Sequence, residues 1–226
     1  MDGNTRWAEN QNLDKSKGHK EGVKKARLAV EFFLEKEIDN LTLFAFSTEN
    51  WGREEREVKA LLKLFLEAIN EQTPDLVKNK VKLNFIGEIS RFDKVLMNKI
   101  KNSQIKTSQY DPKMNLNIAI SYGGRWDIEQ ALKKIIKDLL KNKIKIKNLS
   151  EDLISNYLST SSIPDPDLII RSAGEQRISN FFLWQAAYSE MYFIKKLWPD
   201  FIEKDFQDSL DEFSLRKRKF GVETGG

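Results

Sequence analysis

Short apolar runs alternate with longer stretches of helical period along this chain of 226 residues, and that alternation limits what it can fold into. Residues 41–46, 81–86, 115–120 and 167–171 are too short for helices and are rich in β-branched and aromatic side chains, which predicts strands. Between them, Val23, Ala26, Val30, Phe33 and Leu34 recur at helical spacing. Val58, Leu61, Leu62, Phe65, Leu66 and Ile69 do the same, as do Ile128, Ala131, Leu132, Ile135, Ile136 and Leu139. Residues 180–188 and 202–216 read as two further helices. Strands separated by helices predict an α/β fold with a central, mostly parallel sheet flanked by helices. With no linker-like break, residues 1–226 read as a single domain.

In such a sheet, ligands bind beyond the carboxyl ends of the strands. After Phe46 comes Ser47-Thr-Glu-Asn-Trp-Gly-Arg53; after Ile120 comes Ser121-Tyr-Gly-Gly-Arg-Trp-Asp127; after Ile170 comes Arg171-Ser-Ala-Gly-Glu-Gln-Arg-Ile-Ser179. The chain opens on Asp2-Gly-Asn-Thr-Arg-Trp7, with the same mixture of Gly, Arg, Asn, a carboxylate and Trp. These four segments are expected to converge on one edge of the sheet. Arginine forks onto phosphate oxygens, and glycine lets backbone N–H groups approach an anion. A carboxylate among such groups points to a cation, and beside a diphosphate that cation is Mg²⁺. The residues therefore predict a Mg²⁺-dependent enzyme acting on phosphorylated ligands. Gly123-Gly124 reads equally as a plain turn, and Trp7, Trp51 and Trp126 read first as packing residues. His19, a surface histidine by type, lies where Gly18-His19-Lys20 opens a helix.

Composition removes several alternatives. The chain has no cysteine and one histidine, which excludes disulfides, thiolate catalysis and His/Cys zinc sites. No apolar run approaches the roughly 20 residues that span a bilayer, so a cytoplasmic protein is expected. The net charge of +4 suits an anionic ligand, membrane surface or nucleic acid without selecting one. The lysine-rich residues 141–147 read first as a solvated helix end or connection, with nucleic acid and anionic lipid as rival readings.

Taken in order, the motifs resemble those of the cis-prenyltransferase family over essentially the whole chain. They are Asp2-Gly-Asn-Thr-Arg-Trp7, Ala45-Phe-Ser-Thr-Glu-Asn-Trp51, Tyr122-Gly-Gly-Arg-Trp-Asp127 and Asp167 through Arg171 and Ser179 to Gln185. Glu190, Trp198-Pro-Asp-Phe201 and Arg216-Lys-Arg-Lys-Phe-Gly221 continue the match. The resemblance implies condensation of isopentenyl diphosphate onto farnesyl diphosphate with a new cis double bond. The product it implies is a long polyprenyl diphosphate, undecaprenyl diphosphate for a cell-wall lipid carrier in the bacterial branch. Asp2 would hold Mg²⁺, and Gly3, Asn4, Arg6, Trp7, Lys15, His19 and Arg53 would line the allylic pocket. Arg171, Arg177 and Ser179 would bind the isopentenyl diphosphate. Ser47, Asn50 and Trp51 would stand beside the reacting carbons. Glu190 would complete the Mg²⁺ site across a homodimer interface, with Arg216 and Arg218 closing the partner's site. Leu43, Ala45, Leu62, Phe65, Leu66 and Ile69 would wall an apolar tunnel between sheet and helices. Transient contact with the inner face of the plasma membrane is the implied route of product release.

Four positions depart from the bacterial pattern: Thr5 for Gly, Lys15 for Arg, Gln176 for His and Ser121 for Asn. Relatives carry an apolar strand before the Asp2 segment, so the domain is expected to lack its first strand and Asp2 to sit on a frayed terminus. The competing reading within the family is a non-catalytic binding subunit. A basic RNA-binding domain is disfavoured, because the Arg and Trp residues come paired with carboxylates and glycines rather than spread along a groove.

Overall fold

The computed structural model describes residues 1–217, so Arg218 lies outside the described residues. Its helices are α1 (Asn4–Asn10), α2 (Lys15–Glu35), α3 (Glu55–Lys78), α4 (Lys94–Thr107), α5 (Gly124–Leu140), α6 (Glu151–Tyr157) and α7 (Glu203–Leu215). Its strands are β1 (Asn40–Ser47), β2 (Val81–Ile86), β3 (Met114–Tyr122), β4 (Leu168–Arg171) and β5 (Glu190–Phe193). The backbone divides into two compact units, the first of residues 1–32, 165–177 and 185 onward, the second of residues 33–164 and 178–184. The α/β class with parallel strand pairing follows the sequence reading.

In the second unit, β1, β3 and β2 form a three-stranded parallel sheet in that order. The central strand β3 is almost wholly buried, and its period-2 pattern supplies both faces of the layer. Asn117, fully buried on β3, accepts from Asn84 on β2 at 3.0 Å and donates to Thr42 on β1 at 3.4 Å. This polar rung spans all three strands at one register level, where a slip would leave a buried amide unpaired. Helices α3 and α4 complete a core of Phe46, Val58, Ile69, Phe92, Leu96, Ile100 and Ile120. Leu62, Phe65 and Leu66 pack half-buried against it, Leu43 is buried, and Ala45 is exposed. The register of β1 against β3 slips on either side of Phe46, a bulge just before Ser47.

The chain turns from β3 straight into α5 at Gly123. The buried Asp127 locks that junction: Tyr122 Oη donates to Asp127 Oδ2 at 3.1 Å, and the Ser159 N–H donates to Asp127 Oδ1 at 2.7 Å. α5 ends at Leu140 and residues 141–147 form a connection, as the lysine-rich composition suggested.

In the first unit, β4 and β5 pair in parallel, Leu168 with Glu190 through Arg171 with Phe193. The strand containing Arg171 thus belongs to a second, two-stranded sheet. The expectation that every motif follows a strand of one sheet is corrected accordingly. Phe32, Trp198, Phe201 and Phe206 form an aromatic core, with Trp198 Nε1 donating to the Gly22 carbonyl at 2.9 Å. A Cβ on Gly18 would fall 2.0 Å from the Asn4 carbonyl oxygen, so only glycine lets α2 approach α1 this closely.

The helix expected over residues 180–188 is absent; these residues form successive turns. Ser179, Asn180 and Phe182 have φ of 47°, 62° and 45°, left-handed values a right-handed helix cannot contain. Contacts with the rest of the second unit outweigh the helical periodicity. The Asn180 carbonyl accepts from the Gly124 N–H at 2.6 Å and its side-chain oxygen from the Arg125 N–H at 2.9 Å, capping α5 from outside. Phe181 stacks on Phe44 at 4.6 Å between ring centroids, and Phe182 stands edge-on to Tyr122 at 5.6 Å. Helices α1, α4 and α6 and strand β5 were not assigned from sequence; α4 and α6 carry a side-chain cap from Asp93 and Ser150.

Two outcomes are expected. Asp127→Ala strands the Tyr122 hydroxyl and the Ser159 N–H and lowers stability by about 2–4 kcal/mol, read as a lower urea midpoint at unchanged slope; a loss under about 0.5 kcal/mol would contradict this assignment. The second concerns Glu49, which accepts from Asn180 Nδ2 at 2.7 Å. Burial pushes its carboxyl up, but hydrogen bonds from Asn180, its own backbone, Ser47 and Thr48 outweigh burial and hold it below its ordinary value. Its stabilising contribution is therefore complete above the ordinary carboxylate range and is lost as pH falls through the lower folded-state value. Asn180→Ala should raise the Glu49 titration midpoint, read by NMR, and move that loss of stability to higher pH.

Candidate active site

Asp2 is held on both sides of its backbone. Its N–H donates to Ser172 Oγ at 2.7 Å, the same hydroxyl donates to the Asp2 carbonyl at 3.1 Å, and the Trp198 N–H donates to that carbonyl at 3.0 Å. The expected frayed terminus is thus corrected: three bonds, two with Ser172 and one with Trp198, both distant in sequence, fasten Asp2 in place. Gly3 follows at φ 99°, where a Cβ would lie 2.8 Å from Leu197 Cδ2, so the turn into α1 requires glycine.

Arg171, at the end of β4, donates through Nε to Asp2 Oδ2 at 3.0 Å and through Nη1 to the Arg177 carbonyl. Its side chain is 13% exposed and that of Asp2 42%. The turn between them, with Ala173 and Gly174 at φ 69° and 72°, is clamped by N–H bonds to the Lys196 and Ile194 carbonyls. Glu175 then bridges two more cations, Arg6 at 3.0 Å and Arg177 at 2.6 Å. Three arginines and two carboxylates are therefore gathered in the first unit. Glu175 was not singled out from sequence, although it lies inside the segment from Arg171 to Ser179.

The remaining predicted residues of this unit fall around that group or apart from it. Asn4 is wedged between α1 and α2, its Oδ1 buried with no hydrogen-bond donor. Trp7 Nε1 donates to Asp200 at 2.6 Å. Lys15 is the exposed first residue of α2, and His19 lies half-buried one turn on. The helix thus begins before Gly18-His19-Lys20 rather than at it. Glu190 stands elsewhere: it pairs with Leu168, at the far end of β4 from Arg171, a separation of about 10 Å along the strand. Glu190 accepts from Arg216 Nη1 at 2.9 Å, and Arg216 also donates to the Met191 carbonyl and to Glu212. The Glu212 and Glu190 carboxylates hold the Arg216 guanidinium above its ordinary value.

In the second unit, three loops meet at the carboxyl ends of β1, β3 and β2. Asn50 Oδ1 accepts from the Ser47 N–H at 2.9 Å, closing the 3₁₀ turn Thr48–Gly52. Trp51 Nε1 donates to Ser121 Oγ at 2.9 Å, and its ring is edged by Phe46 and covered by the Arg91 guanidinium at 4.4 Å. Arg53 pairs with Glu57 at 2.6 Å and is exposed. A Cβ on Gly123 would lie 2.5 Å from Thr48 Oγ1 and 2.7 Å from Asn180 Nδ2, so Gly123-Gly124 is a site of close approach rather than a plain turn. Ser179 belongs to this unit, at the strained start of the 179–182 turns. Arg91 was missed. The signal was present, since Gly87-Glu-Ile-Ser-Arg91 follows β2 as the other motifs follow β1 and β3.

Among the described residues no group of three or more His, Asp or Glu side chains could cage a metal ion. Asp2 fits a different arrangement. It is a single accessible carboxylate beside arginine side chains, a donor set that would suit Mg²⁺ held by one or two carboxylates together with phosphate oxygens.

The chain matches a family model described as "Putative undecaprenyl diphosphate synthase" over residues 1–221. A relative from Photorhabdus laumondii, named ditrans,polycis-undecaprenyl-diphosphate synthase ((2E,6E)-farnesyl-diphosphate specific), is 44% identical over 221 residues, 98% of this chain and 87% of that one. One of the same name from Buchnera aphidicola is 47% identical over 98% of this chain and 88% of its own. Among solved structures, lavandulyl diphosphate synthase from Lavandula x intermedia, in complex with dimethylallyl diphosphate, superposes with a TM-score of 0.95. It is 33% identical, over 98% of this chain and 95% of that one. A Campylobacter jejuni structure described as a probable undecaprenyl diphosphate synthase gives a TM-score of 0.79 at 36% identity, over 89% and 92% of the two chains. A match of this extent, at this identity, makes the chain a member of the cis-prenyltransferase family to which undecaprenyl diphosphate synthases belong.

Proposed function

We propose that this chain is a Mg²⁺-dependent cis-prenyltransferase that extends farnesyl diphosphate with isopentenyl diphosphate to make a long polyprenyl diphosphate, undecaprenyl diphosphate. The observation that carries the reading is the cluster of Asp2, Arg6, Arg171, Glu175 and Arg177, with Asp2 fastened by three backbone bonds. The names of the relatives supply the farnesyl specificity and the product.

In this reading Arg171 and Arg177 hold the diphosphate of isopentenyl diphosphate, with Ser179 as a further donor. Gly3, Asn4, Arg6, Trp7, Lys15, His19 and Arg53 hold the allylic diphosphate. Lys15 contributes a point charge without the fork of an arginine. Asp2 would hold Mg²⁺, which would supply positive charge against the departing diphosphate. The terminal alkene carbon of isopentenyl diphosphate attacks the allylic carbon. The C–O bond breaks with its electron pair leaving on diphosphate, and a proton is lost from the neighbouring carbon as the cis double bond forms. Arginines already fixed by carboxylates need little reorganisation to meet that developing charge. Ser47, Asn50 and Trp51 stand beside the reacting carbons. The growing chain is sheltered by the apolar side chains of β1 and α3. Glu190 serves the Mg²⁺ site of a partner subunit in a homodimer, with Arg216 at the same interface. Among the described residues no helix is long and apolar enough to cross a membrane. In this reading the product is released through a transient contact with the inner face of the plasma membrane.

The test is incorporation of labelled isopentenyl diphosphate onto farnesyl diphosphate, with the product sized by chromatography. The chain should make long product, and chelation of Mg²⁺ should stop it. Asp2→Ala should lower kcat by a factor of about 10²–10³ while the fold persists. Arg171→Lys keeps the charge but cannot reach both Asp2 and the Arg177 carbonyl. It should raise KM for isopentenyl diphosphate about ten-fold and lower kcat as well. A folded chain that binds both substrates but forms no product would instead be the non-catalytic binding subunit.

A further inference from the structure

The C-terminal half of α5 and the connection after it carry chemistry the reaction does not use. Leu132, Ile136 and Leu140 stand one turn apart on one exposed face of α5, and Ile146 and Leu149, in the connection that follows, are exposed as well. Leu140 is 80% exposed and Ile146 78%. A single such residue on a surface is ordinary; five within 18 residues is a patch.

The charge of the same segment is equally uneven. Residues 129–149 hold seven lysines and two acids, a net of +5 against +4 for the whole chain, so the remainder carries −1. The two acids are already engaged, Glu129 with Lys133 at 2.5 Å and Asp138 with Lys143 at 3.4 Å. Lys137, Lys141, Lys145 and Lys147 flank the apolar side chains and are exposed.

We propose that this surface, centred on Leu140 and Ile146, docks on an anionic lipid bilayer. Large apolar side chains rimmed by lysine are what enters the headgroup boundary: the apolar groups leave water, and the ammonium groups on their long stems reach lipid phosphates. A second copy of this chain is a poorer occupant, because an isologous contact would set a +5 surface against itself. Single-stranded nucleic acid is poorer still, because residues 129–149 offer no aromatic ring on which a base could stack. Because α5 runs back from the carboxyl end of β3, the patch lies at the opposite end of this βα unit from Ser47, Asn50 and Trp51, leaving those loops clear. The proposal rests on the reading above for its purpose, the delivery of a hydrocarbon product, while the binding itself can be measured without it.

The experiment is co-sedimentation of the full chain with phosphatidylcholine vesicles, with and without phosphatidylglycerol. Two variants are run in parallel: Leu140→Ser with Ile146→Ser, and Lys141, Lys143, Lys145 and Lys147 all →Gln. All six side chains are on the surface, so both variants should keep the wild-type urea midpoint and, in solution, the wild-type turnover. The wild type should partition onto anionic vesicles and hardly onto neutral ones, and salt should weaken it. The four-lysine variant should bind at least about ten-fold less and the serine variant about ten-fold less. Equal binding of the wild type to both vesicle types, or wild-type binding by both variants, would overturn the proposal. So would a change of molar mass in light scattering, or a loss of RNA retention, in variants of a chain that ignores vesicles. Vesicle binding by a chain without prenyltransferase activity would sink the enzyme reading and leave this one standing.

Discussion

Arg171 brings a positive charge into a mostly buried position, and the first unit is arranged around satisfying it. A guanidinium removed from water is tolerated only where its N–H groups meet acceptors. Here one reaches the Asp2 carboxylate and another the Arg177 carbonyl. The next residue, Ser172, clasps the Asp2 backbone in both directions. Positions 2 and 171 are thus joined by side chain and main chain together, and neither can shift without exposing an unpaired group. The Asp2–Arg171 pair is partly solvated, so its Coulomb energy alone is modest. Its consequence is positional, since the carboxylate and the arginines come to a ligand already oriented.

The second unit reaches the same end through close approach of backbone. Gly123 has no room for a Cβ between Thr48 and Asn180, and a Cβ on Gly87, at φ 122°, would lie 2.0 Å from the Ile120 carbonyl oxygen. These glycines press the loops after β1, β2 and β3 onto one another, and the Glu88 N–H seals the contact by donating to the Ser121 carbonyl at 3.1 Å. Asn180 pays for its left-handed backbone by satisfying α5 at one end and Glu49 at the other. Trp51 is then held by Ser121, Phe46 and Arg91 from three directions. Ser121 itself has φ 50°, a conformation asparagine adopts more readily, and asparagine is what the family pattern carries there.

Much of this was legible in the chain. The four strands β1 to β4 and helices α2, α3, α5 and α7 follow from period and length, because each buries a face whose spacing the sequence displays. The segments that hold Arg171, Ser47, Asn50 and Trp51 stand out because Gly, Arg and a carboxylate recur after strands, and the opening segment with Asp2 because it shares that mixture; the role of each residue within them comes from the family resemblance. What stayed hidden depends on contacts distant in sequence. The failure of residues 180–188 to form a helix comes from hydrogen bonds and ring stacking that no local pattern encodes. β5 is as short as β4 but, as Glu190-Met-Tyr-Phe193, lacks the β-branched pair that marks Leu168-Ile-Ile-Arg171. Glu175 and Arg91 act through partners, Arg6 in one case and Trp51 in the other, that only folding brings near. The division between a three-stranded and a two-stranded sheet is likewise a matter of pairing rather than of composition.

The central claim is that Asp2, set by Arg171 and Ser172, shares a divalent cation with a bound diphosphate. Calorimetric titration of inorganic diphosphate into the chain, with and without Mg²⁺, tests it directly when repeated on Asp2→Asn. The account predicts that Mg²⁺ tightens binding to the wild type and that this gain disappears in the variant, while the arginines still give it weak metal-free binding. A Mg²⁺-dependent gain of the same size in Asp2→Asn, or no diphosphate binding by the wild type at all, would contradict it.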